Sequence, residues 1–329
     1  MNKVKIKTKS YICEMNPTIT VIIPVLNREN YLLRCLYSVS NQSEQPDEVI
    51  IVDNGSSDGS LSVATQWQED NICKIKSIKI LKETSTGVCK ARQTGLERAH
   101  GDYVIFFDSD DEMIPELIEK CKKEIKRSNS DIICWRVKIL LLNRQKKVPY
   151  FSLKYPIENH LIHSLLRTQG YAVKREFILN SGGWTKNLAV WNDLELGLRL
   201  LLKNPSISPL SEVLVKIHST PESITGKNFS SKTGEWENTI QEMYKVIGDI
   251  ENYRKKEQLR LIMKYREIIL AAHYRKEGKI LESKFLKNKG LENISGMRKI
   301  LLIFAFYYTS SGGRGAWRII RPFFISSVS

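Results

Sequence analysis

Tyr103-Val104-Ile105-Phe106-Phe107-Asp108-Ser109-Asp110-Asp111 is an apolar run that ends in three carboxylates. A buried strand ending in Asp-x-Asp holds two carboxylates at the rim of an open α/β sheet, where such sheets place their ligands. Carboxylates crowded there repel one another unless a cation sits between them. Hard divalent ions such as Mg²⁺ or Mn²⁺ take oxygen ligands of this kind and keep positions open for substrate phosphates. The competing reading is a plain loop, with Asp111 capping the helix that begins near Met113-Ile114-Pro115-Glu116.

Toward the N-terminus, Ile19–Val25, Glu48–Asp53 and Ser77–Leu81 read as further buried strands. Helical spacing intervenes over residues 29–41, 59–69 and 87–99. This alternation predicts parallel β-α-β units, an α/β fold whose site forms at the C-terminal strand ends. Toward the C-terminus, 114–128 predicts a helix, 131–142 a strand or strand pair, and 143–165 polar surface loops. Trp191–Lys203 predicts a helix with Leu194, Leu198 and Leu201 on one face. From Gly234 to Lys289 the pattern is helical and charged, with a break at Gly278, and turn-forming residues between Pro221 and Gly234 mark a boundary. The expected organisation is an N-terminal tail (1–16), an α/β domain (17–225) and a basic amphipathic helical extension (226–329).

The chain of 329 residues has a formal net charge of +15, and residues 251–329 hold 17 Lys and Arg against 6 Glu and no Asp. A basic segment of this kind points to an anionic partner. The six cysteines are scattered without a Cys-x-x-Cys pair or a nearby His cluster, which argues against zinc and suits a reducing compartment. The start, Met1-Asn2-Lys3-Val4-Lys5-Ile6-Lys7, leads into no apolar segment of the secretory type. The apolar run Ile300–Tyr308 is too short to span a bilayer. The expected location is the cytoplasm, or peripherally the inner face of the plasma membrane.

Four blocks then occur in order. They are Ile22-Ile23-Pro24-Val25-Leu26-Asn27-Arg28, Ile51-Val52-Asp53-Asn54-Gly55-Ser56-Ser57-Asp58-Gly59, Gly87-Val88-Cys89-Lys90-Ala91-Arg92-Gln93-Thr94-Gly95 and Gly101 to Asp111. Together they resemble the family 2 glycosyltransferases over roughly residues 17–220. The resemblance implies the GT-A fold, a Rossmann-like and mostly parallel sheet flanked by helices. It also implies sugar transfer, usually with inversion, from a nucleotide-diphosphate donor, expected to be a UDP-sugar. The acceptor would be a saccharide or lipid-linked acceptor in cell-surface polysaccharide synthesis.

The family pattern carries over residue by residue. Asp110 is implied as the metal ligand for Mn²⁺ or Mg²⁺, and Asp108 with Ser109 as the neighbours of the donor ribose. Asp111 would assist the metal or cap the next helix. Asp53 is implied to accept from the nucleobase, Pro24 and Asn27 to line the same crevice, and Arg92 to meet phosphate. Gln93 stands where the family reads Asn. In Trp191-Asn192-Asp193-Leu194-Glu195, Asp193 takes the place of the base that deprotonates the acceptor hydroxyl, with Asn192 where Glu is frequent. A first-turn Asp favoured by the helix dipole is the compatible structural role. Glu195 is expected to point away, and Arg199 to lock the helix in an ion pair. Trp184, after Ser181-Gly182-Gly183, and Trp191 are candidates to stack on an acceptor sugar, or else core residues. His218 is a candidate to approach the metal, or else a structural histidine.

In the last segment, Leu301, Phe304, Phe306, Trp317, Ile320 and Phe324 are interleaved with Arg298, Lys299, Arg314, Arg318 and Arg321. Basic residues among aromatics suit an anionic membrane surface, and packing on the catalytic domain is the equal alternative. Nucleic acid is not expected. Two other functions compete: a metal-dependent phosphohydrolase, and a carbohydrate-binding relative without catalysis. A dinucleotide oxidoreductase is disfavoured, because no Gly-x-Gly-x-x-Gly follows the first strand.

Overall fold

The computed structural model describes residues 16–141, 144–147, 153–219 and 228–325. The expected tail up to residue 15, with Cys13, lies outside these residues, as do Pro149 and positions 220–227 of the expected boundary.

Strand β1 (Ile19–Val25) is buried along its whole length. Helix α1 (Glu29–Ser40) leads to β2 (Glu48–Asp53), which is buried throughout as well. Continuous apolar strands of this kind are covered on both faces, as parallel strands are. Helix α2 (Ser60–Asn71), β3 (Ser77–Lys82), α3 (Val88–Arg98) and β4 (Tyr103–Phe106) complete the expected alternation. Strands β3, β2, β1 and β4 lie parallel in that order. Successive side chains of β1 face opposite ways. Ile22 joins one core with Ile50, Val104 and Leu96, whereas Val21 and Ile23 join a second with Leu32, Leu36 and Trp67. A Cβ at Gly95 would collide with the Ile22 side chain, so the missing Cβ lets α3 lie close on β1.

Beyond β4 the chain forms β5 (Glu112–Met113), α4 (Leu117–Ser128), β6 (Ile132–Leu141) and β7 (Arg144–Lys147). Helix α5 (Pro156–His163), a single 3-10 turn at Thr168–Gly170, β8 (Tyr171–Lys174) and α6 (Arg175–Asn180) follow. Helix α7 (Asn192–Leu202) and β9 (Ile207–His218) end this part. The sheet order is β3-β2-β1-β4-β8-β6-β9-β5, with β7 on β6. Past β4 the pairing is mixed, since β8 is antiparallel to β4 and β6, and β9 is parallel to β6.

Residues 143–165 are therefore not all surface loop. Strand β7 closes a hairpin on β6, and α5 packs against α7 with Ile157 and Leu161 buried. Three polar residues of α5, Glu158, Asn159 and His160, are buried with partners. Glu158 pairs with Lys255 at 2.5 Å, and Asn159 donates to Lys154 O at 2.7 Å. His160 Nε2 sits 3.0 Å from Leu194 O, and Leu166 N–H donates to its Nδ1 at 3.2 Å. Burial pushes the His160 pKa down to about 3, so the ring is a neutral structural element.

Helices α8 (Glu235–Gly248), α9 (Tyr253–Lys276), α10 (Ile280–Leu291), α11 (Gly296–Ser310) and α12 (Trp317–Phe324) complete the chain, with the expected break at Gly278. Their buried faces belong to the same core as Ile22 and Val104, through Ile262, Ile268, Phe306, Trp317 and Phe324. Each such side chain contributes about 1.5–3 kcal/mol when fully buried. The last segment thus packs on the rest of the protein while leaving Met297, Ile300, Phe304 and Tyr307 exposed. Among the described residues, no helix is long and apolar enough to cross a membrane.

Candidate active site

The rim of the parallel strands gathers the first set of candidates. Pro24 is buried in β1 opposite Val52, beyond the last residue paired with β4, where its missing N–H costs least. Asp53, opposite Val25 and 7% exposed, accepts the Ser56 N–H through Oδ1 at 3.2 Å. Asn27 adopts a left-handed backbone (φ 51°), and its Oδ1 accepts the Ser57 N–H at 2.8 Å. Asn54 ties neighbouring loops together, donating to Glu83 O (3.1 Å) and Ser85 O (2.9 Å) and accepting from Gly87 N–H (2.8 Å). These strand ends therefore form one braced ledge.

The three carboxylates after β4 stand beside it. Asp108 accepts from Arg92 Nη2 at 2.6 Å and from Gln169 Nε2. The same Gln169 amide donates to Asp111 at 2.6 Å, and the backbone N–H of His218 donates to the other Asp111 oxygen at 2.9 Å. Ser109 is buried between them. Arg34 donates to the Asp110 carbonyl at 2.5 Å. The His218 ring faces Glu112 at 3.2 Å, and Lys216 pairs with the same carboxylate at 2.7 Å. Burial, then Arg34, lowers the His218 pKa, while Glu112 opposes them.

Burial raises the pKa of Asp110, and repulsion from Asp108 adds to it, with Arg28 opposing. Asp111 is raised well above the ordinary range by burial and then by Asp108 and Asp110. A crowd of carboxylates that hold one another's protons is the arrangement a hard cation relieves. Among the described residues no group of three or more His, Cys, Asp or Glu side chains is placed to hold a metal ion by itself. The donor set is open, in the manner of ions that take one or two carboxylates and complete their shell with substrate phosphate. The residues present fit such an ion.

The second wall faces the ledge across Arg92. This guanidinium, 4% exposed, also donates through Nη1 to Asn192 Oδ1 at 3.1 Å, so it spans from Asp108 to the start of α7. It lies 4.6 Å over the Trp184 ring, whose edge meets Phe106 at 5.1 Å. Trp184 is 2% exposed, with Arg92 on its face. Gln93 accepts the Trp184 N–H at 2.9 Å and so fixes the glycine turn before it.

Trp191 immediately precedes α7 with φ 47°, a conformation costing about 1–3 kcal/mol that persists only where the surroundings impose it. Trp236 at 4.8 Å, Phe229 at 6.4 Å and the Arg266 guanidinium at 4.7 Å hold the indole. Thr239 donates to Val190 O at 2.8 Å and pins the preceding residue. Asp193 is half-buried in the first turn of α7 and accepts the Leu194 N–H at 2.9 Å. Burial raises its pKa, Arg167 and then Arg92 pull it down, and the charge of Asp108 pushes it up. Asp193 and Asp108 therefore share one electrostatic environment. Glu195 turns away to Arg199 at 2.6 Å, and Arg199 also donates to Ser181 O (2.5 Å) and Gly183 O (2.7 Å).

The structure thus joins Arg92 to Asp108, to the Trp184 ring and to the start of α7, which carries Asp193 next to Trp191, while Ser109 and Asp110 follow Asp108 in the chain. Pro24, Asn27 and Asp53 lie at adjacent strand ends, and His218 joins through Asp111. Sequence reasoning did not single out Gln169, Arg167 or Arg266. Gln169 lies in a 3-10 turn without a motif, and Arg266 lies in a helix of mixed charge. The match between them and the site exists only in three dimensions.

Residues 20–176 match the family model described as Glycosyl transferase family 2. A cholesterol galactosyltransferase of Borreliella burgdorferi is 28% identical over 208 residues, covering 58% of this chain and 57% of that protein. The glycosyltransferase GlyA of Streptococcus pneumoniae is 37% identical over 114 residues, 35% of this chain and 16% of that protein. The chain thus spans little more than half of the first relative's length and less of the second's. Among solved structures, S. aureus TarS (residues 1–349) in complex with UDP-GlcNAc superposes with a TM-score of 0.65 at 20% identity, over 92% of this chain and 91% of that one. A mannosyltransferase of Pyrobaculum calidifontis in complex with GDP-Man and Mn²⁺ gives 0.59 at 16% identity, over 90% and 84%. These likenesses establish the glycosyltransferase type of α/β fold.

Proposed function

Because the chain belongs to glycosyltransferase family 2, we propose that it transfers a sugar, with inversion, from a nucleotide-diphosphate donor to a saccharide or lipid-linked acceptor of the cell surface. The donor is assigned as a UDP-sugar, and the catalytic domain as residues 17–225 with a helical extension over 226–329. The observation that carries the reading is Arg92, which bonds Asp108 and Asn192 at once and so ties the Asp-x-Asp to the first turn of α7, where Asp193 stands.

In this reading Asp53 accepts the imide N–H of the base, while Pro24 and Asn27 border it. Asp108 and Ser109 meet the ribose. Asp110, with Asp108 beside it, would hold a divalent cation, which offsets the charge that builds on a departing nucleoside diphosphate, and His218 would join it by turning its ring from Glu112. Arg92 supplies a fixed cation on the opposite side. Asp193 takes the proton from the acceptor hydroxyl, and its raised pKa makes it a better base than an ordinary carboxylate. The first turn of α7 supplies the N-terminal dipole that keeps it ionised. Trp184 and Trp191 are the aromatic candidates beside the acceptor; their packing under Arg92 and Arg266 supports a role in shaping that wall.

Peripheral attachment to the inner face of the membrane is part of the proposal. It is supported by the exposed stripe Met297, Ile300, Phe304 and Tyr307 on α11, next to Arg298 and Lys299. The function is tested by screening nucleotide sugars for Mn²⁺-dependent thermal stabilisation and slow donor hydrolysis. A UDP-sugar should stabilise the wild type and lose that effect in Asp110→Ala. Stabilisation by no nucleotide sugar would overturn the reading.

A further inference from the structure

One uncharged side chain, Gln169, meets two of the three acids that follow β4. Its amide nitrogen donates to Asp108 Oδ2 and, at 2.6 Å, to Asp111 Oδ2. A primary amide carries two N–H groups and ionised carboxylates only accept, so each acid takes one of them. The other oxygen of each acid is held from a different element. Arg92 on α3 donates to Asp108 Oδ1 at 2.6 Å, and the His218 N–H at the end of β9 donates to Asp111 Oδ1 at 2.9 Å. None of these bonds involves the Asp110 side chain. The turn that carries Gln169 is itself fixed. Gly170 N–H donates to Arg167 O at 2.8 Å, and the buried Trp135 indole N–H donates to Gln169 O at 2.9 Å. Gln169 is 7% exposed and Asp111 1%, so water has little access to stand in for the amide.

A neutral amide at this place does what neither a cation nor an apolar group would do. Its dipole eases the repulsion between the acids and leaves their charge uncancelled. Arg92 already pairs with Asp108. A lysine or arginine at position 169 would pair with both acids and occupy the place of any other cation. An apolar side chain there would leave two carboxylates facing each other without their shared donor. We propose that Gln169 is a positioning residue of the cation site: it keeps Asp108 and Asp111 aligned while no ion is bound, and it leaves their negative charge for the divalent cation. The inference rests on the reading of Asp110 as a ligand of that cation. Each acid retains unused lone pairs beside the bonds described, so the tie does not block a ligand.

The test is thermal unfolding of the full chain in EDTA and in saturating Mn²⁺, with Mn²⁺ affinity read by calorimetry. Gln169→Met keeps the length of the side chain and removes both donors. Its Tm should lie about 3–5 °C below wild type in EDTA and less than half as far below in Mn²⁺, because the ion then eases the repulsion that the amide eased before. A residue that only shapes the turn gives the same deficit in both conditions, and that result overturns the role. Gln169→Lys places a charge between the acids. Its Mn²⁺ affinity should fall about tenfold or more, and its Tm should cease to respond to the ion. Mn²⁺ bound by Gln169→Lys as tightly as by wild type counts equally against the role. Asp110→Ala separates this role from the reading beneath it. Mn²⁺ affinity lost in Asp110→Ala but unmoved in both Gln169 variants removes Gln169 alone. No Mn²⁺ binding by wild type removes the Asp110 reading and the role of Gln169 together.

Discussion

The strand-end ledge and the α7 wall, proposed for donor and acceptor, are built in opposite ways. The ledge consists of short consecutive blocks at the ends of β1, β2 and β4, where parallel register alone brings Asp53 beside Val25 and the Phe107 N–H onto Ile22 O. The wall is assembled from residues far apart in the chain. Arg92 reaches Asn192, Gln93 holds Trp184, and Thr239, Trp236 and Arg266 clamp Val190 and Trp191. Chemistry that depends on one strand end is written locally. Chemistry that depends on a helix held at a given angle is distributed over whatever packs against it.

The sharpest way to separate the two is Asp193→Asn. Turnover should fall by roughly 10²–10⁴-fold, the share of a general base, while calorimetric donor affinity stays unchanged. A parallel loss of donor affinity would mean that the two sides are not separable. Arg92→Met attacks the joint between them. It strands Asp108 without its cation, and stability should fall by about 2–3 kcal/mol, less than for a fully buried pair because Asp108 is 30% exposed. Denaturant unfolding reads the loss, and both turnover and donor affinity should drop.

Trp236→Leu loosens the wall alone. Kinetics should show kcat reduced about tenfold with donor Kd constant, since a small misplacement of the base costs rate without touching the ledge. On the ledge, Mn²⁺ at a hundredfold excess over Kd should raise Tm by about 2–5 °C. The sign of its pH dependence follows from Asp110 and Asp111, whose folded pKa values lie above their unfolded ones. Their ionisation penalises the fold as pH rises through the raised values, and a cation removes that penalty. Differential scanning fluorimetry should therefore find the Mn²⁺ gain growing from acid to neutral pH, and nearly absent in Asp110→Asn. The smallest effect concerns the acid limb of kcat/KM. It should lie above the ordinary carboxylate range, because burial raises Asp193, and Arg167→Gln should move it further up, because the Arg167 charge holds it down.

The same contrast explains what was readable beforehand. The strands and helices from Ile19 to Phe106 follow from apolar runs and helical spacing, since each is buried by its own periodicity. The positions of the carboxylates after β4 and of Asp193 in the first turn of α7 were legible because motif and element coincide. Helix α5 was not, because Glu158, Asn159 and His160 read as solvent-facing residues until Lys255, Lys154 O and Leu194 O appear as their partners. Gln169 gave no signal, as its role as a bridge between Asp108 and Asp111 exists only once β8 lies beside β4.

The forced left-handed backbone at Trp191 also limits how this enzyme can be recombined. A chimera that joined its first 220 residues to the helices of a relative would keep every motif yet lose Phe229, Trp236 and Arg266. The indole would relax, and the start of α7 would swing with it. Swapping partners between such proteins therefore demands exchanging the tryptophan and its clamp as one inherited unit.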